Sequence, residues 1–423
     1  MVAASPWIAQ LRHLRQFKPA RLWGIGVAAG LVALGVQAVG GWRTLDYAGY
    51  KMLFHLRQAI APLEWDPRIA VIAIDDRTLE RYGQFPISRQ YYTELLNRLL
   101  VSPPAAIGFD LLFVDPSPHD ETLAAAMDRH WTVALPLAAS PQGRLLQPVP
   151  PLKAAAAAHG HVMITADSDG VTRAVARYQG DVSTFGAALV QLYYESQRAV
   201  VGGDLATGAA AEASDKRPAT PPSPSPLWVN WPGPVSTPQG CRPPEPEQLP
   251  IYPLDCILLG RTAPDTFNGR IVLVGVTATG IDPLRTPFNS AVPASNVYLH
   301  AAVIDNLLNG RPLRRPPGWL LVPLVAGMTL LALALQRSRL RPAAFALPGI
   351  WLAVGLGALV GQVWLPLAAP IAASLLAILG AQLNAQWENQ QLKSLLAIHL
   401  DPTAASLLWQ QRDRILNQGE LPA

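Results

Sequence analysis

Charge is what this sequence of 423 residues lacks: only 15% of it is Asp, Glu, Lys or Arg, where about a quarter is usual in a soluble domain. Half of the residues are hydrophobic, so the shortfall excludes a disordered chain and makes membrane segments the first expectation. Cysteine is nearly absent. Cys241 and Cys256 are too few for a disulfide-built scaffold or a Cys-only zinc site. Acidic residues are missing from 1–21, where Arg12, Arg15, Lys18 and Arg21 stand unopposed, and from 337–341, which holds Arg337, Arg339 and Arg341. The net charge of +4 therefore sits beside apolar runs, while 43–315 carries 23 basic and 25 acidic residues. That distribution points to a lipid bilayer as partner and excludes nucleic acid. No Ser/His/Asp order with a nucleophile elbow, phosphate-cradling glycine loop or metal-spaced His/Cys cluster is present. No catalytic residue, metal or cofactor is expected within these residues. Proline (41) and tryptophan (12) are by contrast abundant, which predicts long loops and interfacial anchors.

Three stretches have no formal charge. Residues 22–42 are long enough to cross ~30 Å of hydrocarbon as a helix, with Trp23 and Trp42 at the depths amphipathic rings prefer. Val36-Gln37-Ala38 faintly resembles a signal-peptide cleavage site, but the apolar run is too long for one, and an uncleaved anchor is predicted. The second stretch is 316–336. The third, 342–387, holds two spans, 343–363 and 365–383, around the proline-broken turn Trp364-Leu365-Pro366. The basic cluster before the first span and that at 337–341 place 1–21 and 384–423 in the cytoplasm and 43–315 outside. Arg311, Arg314 and Arg315 run against this bias, but they end a long loop, where the rule is weak. The predicted location is a cell inner membrane. No ionisable group lies within a span, which argues against a pump or transporter.

The outer segment reads as α/β. Residues 69–74 form an apolar run closed by Asp75 and Asp76, and 105–110 a second run closed by Asp110; both fit strands covered on two faces. A helix over 88–100, with Ser88 as its cap, and another over 120–129 alternate with these and with a strand at 131–135, predicting a mostly parallel sheet. Further strands are expected at 161–164, 171–178, 228–231 and 271–274, and helices at 185–195 and 297–308. Residues 202–226, rich in Gly, Ala, Ser, Thr and Pro, are expected to be a disordered surface insertion. Cys241 and Cys256, outside the membrane, are candidates for a disulfide; two unpaired thiols are the alternative.

Seven segments then occur in a recognisable order: Ile74-Asp75-Asp76, Phe85-Pro86-Ile-Ser-Arg89, Gly108-Phe-Asp-Leu-Leu-Phe113, Asp169-Gly-Val-Thr-Arg173, Gly269-Arg-Ile-Val-Leu-Val-Gly275, Asp282-Pro-Leu-Arg-Thr286-Pro287 and His300-Ala301. Together they resemble the CHASE type-two family of extracellular sensory domains over 45–315, with the family's usual three spans behind. Phe85 and Ile87 stand where tryptophans are more usual in that family, and Asn296 where glycine is common. The tail carries a helix over 382–400, a break at Asp401-Pro402 and a restarted helix. It is similar to the signalling helix that leads into the catalytic domain of class III adenylate/guanylate cyclases. That resemblance implies a catalytic domain beyond Ala423 and a homodimer paired through 382–400, with Asp401 and Pro402 in the signalling path.

Asp75, Asp76 and Asp110 end neighbouring predicted strands, where open α/β sheets bind ligands. With Arg89 they are the candidate site for an unknown small extracytoplasmic ligand. The competing reading is that they cap helices or pair with Arg89 or Arg173. Asp167, Asp169 and Gly170 lack the spacing of a calcium loop and read as a β-turn, and His300, without a second His or Cys nearby, reads as a packed histidine. Three classes of function follow: a sensor feeding a nucleotide cyclase, the same sensor feeding a kinase or standing alone, and a membrane-anchored hydrolase.

Overall fold

The computed structural model describes residues 18–140, 143–202, 225–235, 240–241, 248–288, 294–399 and 401–410. Most of the expected insertion lies outside the described residues. The chain forms two compact units, Phe54–Arg315 and the pair of segments Met1–Leu53 and Pro316–Ala423.

The first unit is built on β1 (Ile69–Ile74), β2 (Ala106–Asp110), β3 (Val133–Ala139), β4 (Ala158–His161), β5 (Ile251–Pro253) and β6 (Ile271–Val276). They lie in the order β5-β1-β6-β2-β3-β4, every neighbouring pair parallel, with Leu145–Leu146 antiparallel against the end of β3. β1 and β6 are buried along their whole length, as uninterrupted apolar runs require when helices cover both faces. On one face α1 (Arg89–Leu99) and α2 (Asp120–His130) set Tyr92, Leu95, Leu96, Leu123 and Met127 against Ile72, Ile74, Phe109 and Val274. On the other face lie α3 (Phe185–Gly202) and α4 (Val297–Leu308). These two sit close to the sheet because glycine faces them. A Cβ on Gly160 would fall 2.4 Å from the Cα of Phe185, and one on Gly275 would fall 2.7 Å from the Cβ of Val297.

Local differences from expectation have local causes. Trp131 takes a left-handed conformation (φ 48°) that closes α2, so β3 starts at Val133 and not at 131. Ser88 precedes α1, but its hydroxyl makes no capping bond. The strand expected at 161–164 is shifted to Ala158–His161 by its register on β3, Ala134 opposite Ala158 through Leu137 opposite His161. Only Ala174–Val175 and Tyr178–Gln179 of 171–178, and Leu227–Trp228 near 228–231, are extended in pairs. Cys241 and Cys256 are joined as a disulfide with their Cα atoms 5.5 Å apart.

At the start of the sheet the two ends of the unit are tied together. Arg57, fully buried, donates to Asn230 Oδ1 at 2.5 Å and to the Trp231 carbonyl. Asn230 and Asn306 exchange bonds of 2.7 and 2.8 Å, and Arg311 pairs with Asp305 at 2.6 Å. Asp305 also accepts the backbone N–H of Asp66, at 3.1 Å.

Among the described residues the second unit holds four helices long and apolar enough to cross a membrane: Ala20–Ala38, Gly318–Arg337, Arg341–Val360 and Ala368–His399. The first, second and fourth pack together through Ala33, Val325, Ala369 and Ala373, small residues that allow close approach in lipid. Asp46, buried, accepts the N–H groups of Leu367 (3.0 Å) and Ala368 (2.9 Å) and so caps the positive end of the fourth helix. Arg21 pairs with the buried Glu388 at 3.2 Å and lies over the Trp387 ring. The fourth helix is a single rod of 32 residues, about 48 Å long, where the sequence suggested a span and a separate tail helix. Asp401 then accepts the Thr403 N–H at 2.8 Å and opens the helix Pro402–Gln410. Ala405, Leu408 and Trp409 of that helix fold back onto Leu392 and Leu396.

Candidate ligand-binding site

β6 and β2 are adjacent and parallel, but the chain leaves them toward opposite faces. After β6 it passes to α4, and after β2 to α2, which packs with α1 on the other side. Such divergence opens a crevice at the carboxyl ends of the strands. A cavity of about 510 Å³ lies there, within the ~300–1,000 Å³ typical of small-molecule sites. Ile87, Phe113, Val162, Ile164, Val276 and Ile281 give it an apolar wall; Asp110, Asp282, Asn296 and His300 give it a polar one.

Asp110 ends β2, with its side chain 10% exposed. Burial pushes its carboxyl up to about 7. His300, on the first turn of α4 and 3% exposed, brings Nε2 to 3.5 Å from Asp110 Oδ1. Among the described residues neither of its ring nitrogens has a hydrogen-bond partner, the Phe185 ring meets it edge-on at 5.3 Å, and burial pushes its pKa down to about 4. Asp282, held at φ 51°, accepts from Asn296 Nδ2. Burial first, and then the neighbouring Asp110, raise its carboxyl above the ordinary range.

The four expected ligand residues separate. Asp110 and Arg89 line the cavity. Arg89 is committed to Asp120 and to the Asp115 carbonyl, and its guanidinium lies 5.1 Å from the Phe113 ring. It is a wall that pins the loop after β2. Asp75 and Asp76 are occupied elsewhere. Asp75 caps the helix Asp76–Tyr82, accepting from Thr78 N at 2.9 Å and from its hydroxyl at 2.6 Å. Asp76 holds Thr279 through its N–H and hydroxyl, at 3.0 and 2.8 Å. Asp167, Asp169 and Gly170 form a turn, Gly170 N to Asp167 O at 2.7 Å, with both carboxylates 2.8 Å from the buried Arg173. Composition and spacing did not mark Asp282, Asn296 and His300 as site residues. The signal that could have found them was the order of motifs, since four of the seven segments, those containing Arg89, Asp110, Asp282 and His300, meet at this cavity. Phe85, Ile87 and Asn296, where the sequence departs from the family pattern, line it too.

A family model of the CHASE2 domain matches residues 27–336, extending beyond the 45–315 of the motifs into the first and second apolar helices. The chain belongs to the CHASE2 family. CHASE2 domains are extracytoplasmic sensory domains, and the matched residues include the whole mixed α/β unit that carries the cavity. No curated protein and no solved structure matches the chain significantly.

Proposed function

We propose that this CHASE2 protein is a transmembrane receptor: the α/β unit reads a small solute outside a cell inner membrane, and the signal reaches a cytoplasmic nucleotide cyclase. One observation carries the sensing step. α4 begins beside the cavity with Asn296 and His300 and carries Asp305 and Asn306 in its last turn, within the buried network that ties Arg57, Asn230 and Arg311 together. A helix of 12 residues, about 18 Å long, thus connects the ligand crevice to the segment from which the chain leaves toward Pro316. A ligand that favours one position of this helix shifts the equilibrium by its differential affinity for the two states, and by no more. The single rod Ala368–His399 and the Asp401-Pro402 break support the output step, through their likeness to the cyclase signalling helix.

Two measurements test the two halves. The coding sequence downstream of Ala423 should specify a class III cyclase domain; a kinase domain or a stop codon there overturns the cyclase reading. With that domain attached, Ile164→Trp, which fills the cavity, should change cyclic-nucleotide output in intact cells at least threefold. Unchanged output overturns sensing through this crevice.

A further inference from the structure

We propose that the cavity takes a small organic cation, with its ammonium group between Asp110, Asp282 and His300 and its apolar body against Phe113 and Ile164. This names the ligand class of the proposed sensor and rests on that reading's use of the cavity. The site has acceptors and no free donor of charge. Asp110 is nine-tenths buried and faces the His300 ring, whose Nε2 lies 3.5 Å from Oδ1. His300 has two unpartnered ring nitrogens within the cavity wall, and a neutral imidazole offers one lone pair there. Asp282 accepts only from the neutral amide of Asn296 among the described residues. The one guanidinium lining the cavity, Arg89, is already spent on Asp120 and a carbonyl. A ligand anion would meet Asp110 and Asp282 as like charges, and a purely apolar ligand would leave buried acceptors unpaired, which is costly. An ammonium group supplies several hydrogen-bond donors and the missing positive charge at one point.

A metal ion fits less well. Among the described residues no three His, Cys, Asp or Glu side chains are grouped to hold one. The cavity of about 510 Å³ also leaves room, lined by Ile87, Phe113 and Ile164, for a body that an ion lacks.

The test uses the full chain in lipid nanodiscs at pH 7.5, with thermal unfolding and calorimetric titration. Four amines (phenethylamine, tryptamine, agmatine and cyclohexylamine) are compared with 2-phenylethanol and 3-phenylpropionate. At least one amine should bind saturably, at least tenfold more tightly than the alcohol and the carboxylate. Asp110→Asn, with an unchanged circular-dichroism spectrum, should weaken it at least tenfold. Asp282→Asn should weaken it as well and serves if the first variant does not fold. The inference is overturned if none of the four amines binds, if the alcohol or carboxylate binds as tightly, or if neither variant weakens the amine. Binding of the carboxylate or alcohol would keep the crevice as a sensor site and remove the cation. Amine binding that leaves cyclase output unchanged would keep the cation and remove the sensor reading.

Discussion

Burial acts on Asp110 and His300 with one preference, for the uncharged form, and with opposite consequences for pH. The Asp110 carboxyl, raised to about 7, keeps its proton in the folded chain where the unfolded chain has lost it. Its contribution to stability is therefore full below the ordinary carboxylate range and is lost as pH rises toward 7. The His300 imidazole, lowered to about 4, contributes above its ordinary value of about 6.5 and loses that contribution as pH falls to about 4. The two slopes oppose each other below about 6.5. Asp110→Asn removes only the first, so the variant should gain stability relative to the parent as pH rises from about 4 to 7, and then hold level. His300→Gln should do the reverse, losing relative stability over pH 4–6.5. Arg89, Tyr92 and Asp115, which also line the cavity, are common to parent and variants and cancel in the difference, while Asp282, whose carboxyl Asp110 helps to raise, relaxes downward in Asp110→Asn and adds to the gain in the same direction. Thermal unfolding at pH 4.5, 6, 7 and 8 checks both. Parallel curves for parent and Asp110→Asn would remove the buried-carboxyl account.

At the scale of elements, the network around Arg57 ties distant segments of the unit through buried hydrogen bonds. Arg57→Met leaves Asn230 Oδ1 and the Trp231 carbonyl buried without their donor, at about 1–3 kcal/mol for each unsatisfied group. The outer unit should melt several degrees lower while the cavity variants do not. An unchanged melting temperature would show that the network contributes nothing. Deleting 204–225, by contrast, should cost no more than about 1 kcal/mol, since this segment has one residue larger than alanine among its apolar side chains, Leu205, to bury. These elements also show what the sequence could and could not tell. β1, β2, β6 and α4 were readable because long apolar runs and helical spacing are set by burial on one or two faces. β5, the three residues Ile251–Pro253, is too short to have a period. The helix Arg43–Ile60 follows the first apolar run so closely that the hydropathy pattern did not separate them. For the site, position on a strand end marked Asp110 correctly but marked Asp75 and Asp76 equally, because sequence does not show which carboxylate the following helix uses as its cap. His300 needed the third dimension: one histidine on an apolar helix looks the same whether its ring meets core or cavity.

For the whole molecule, the Lys/Arg asymmetry predicts that the CHASE2 unit and the tail lie on opposite sides of the membrane. Single cysteines at the exposed positions Asp128 and Ser394 give the test with a membrane-impermeant thiol reagent. Asp128→Cys should label in cells whose outer envelope is permeable, and Ser394→Cys only after lysis; the reverse pattern overturns the orientation. The tail sets the last constraint. Class III cyclase sites form between two catalytic domains in the family this tail resembles, so the rod Ala368–His399 is proposed to pair across a twofold. Of the stripe proposed for that pairing, Leu383, Trp387, Leu392, Leu395 and Leu396, two positions, Leu392 and Leu396, are covered in the single chain by Ala405, Leu408 and Trp409. Pairing over those two would require the helix Pro402–Gln410 to swing away about Asp401-Pro402, the role proposed for the break. Two residues inserted after Gln391 would rotate everything beyond by about 200° at 3.6 residues per turn, and seven by about 700°, within 20° of two full turns. With a cyclase domain attached, the two-residue insertion should change basal or stimulated activity at least threefold, and the seven-residue insertion should restore it. Activity that ignores both insertions would make helix phase irrelevant and reduce Asp401-Pro402 to a passive linker.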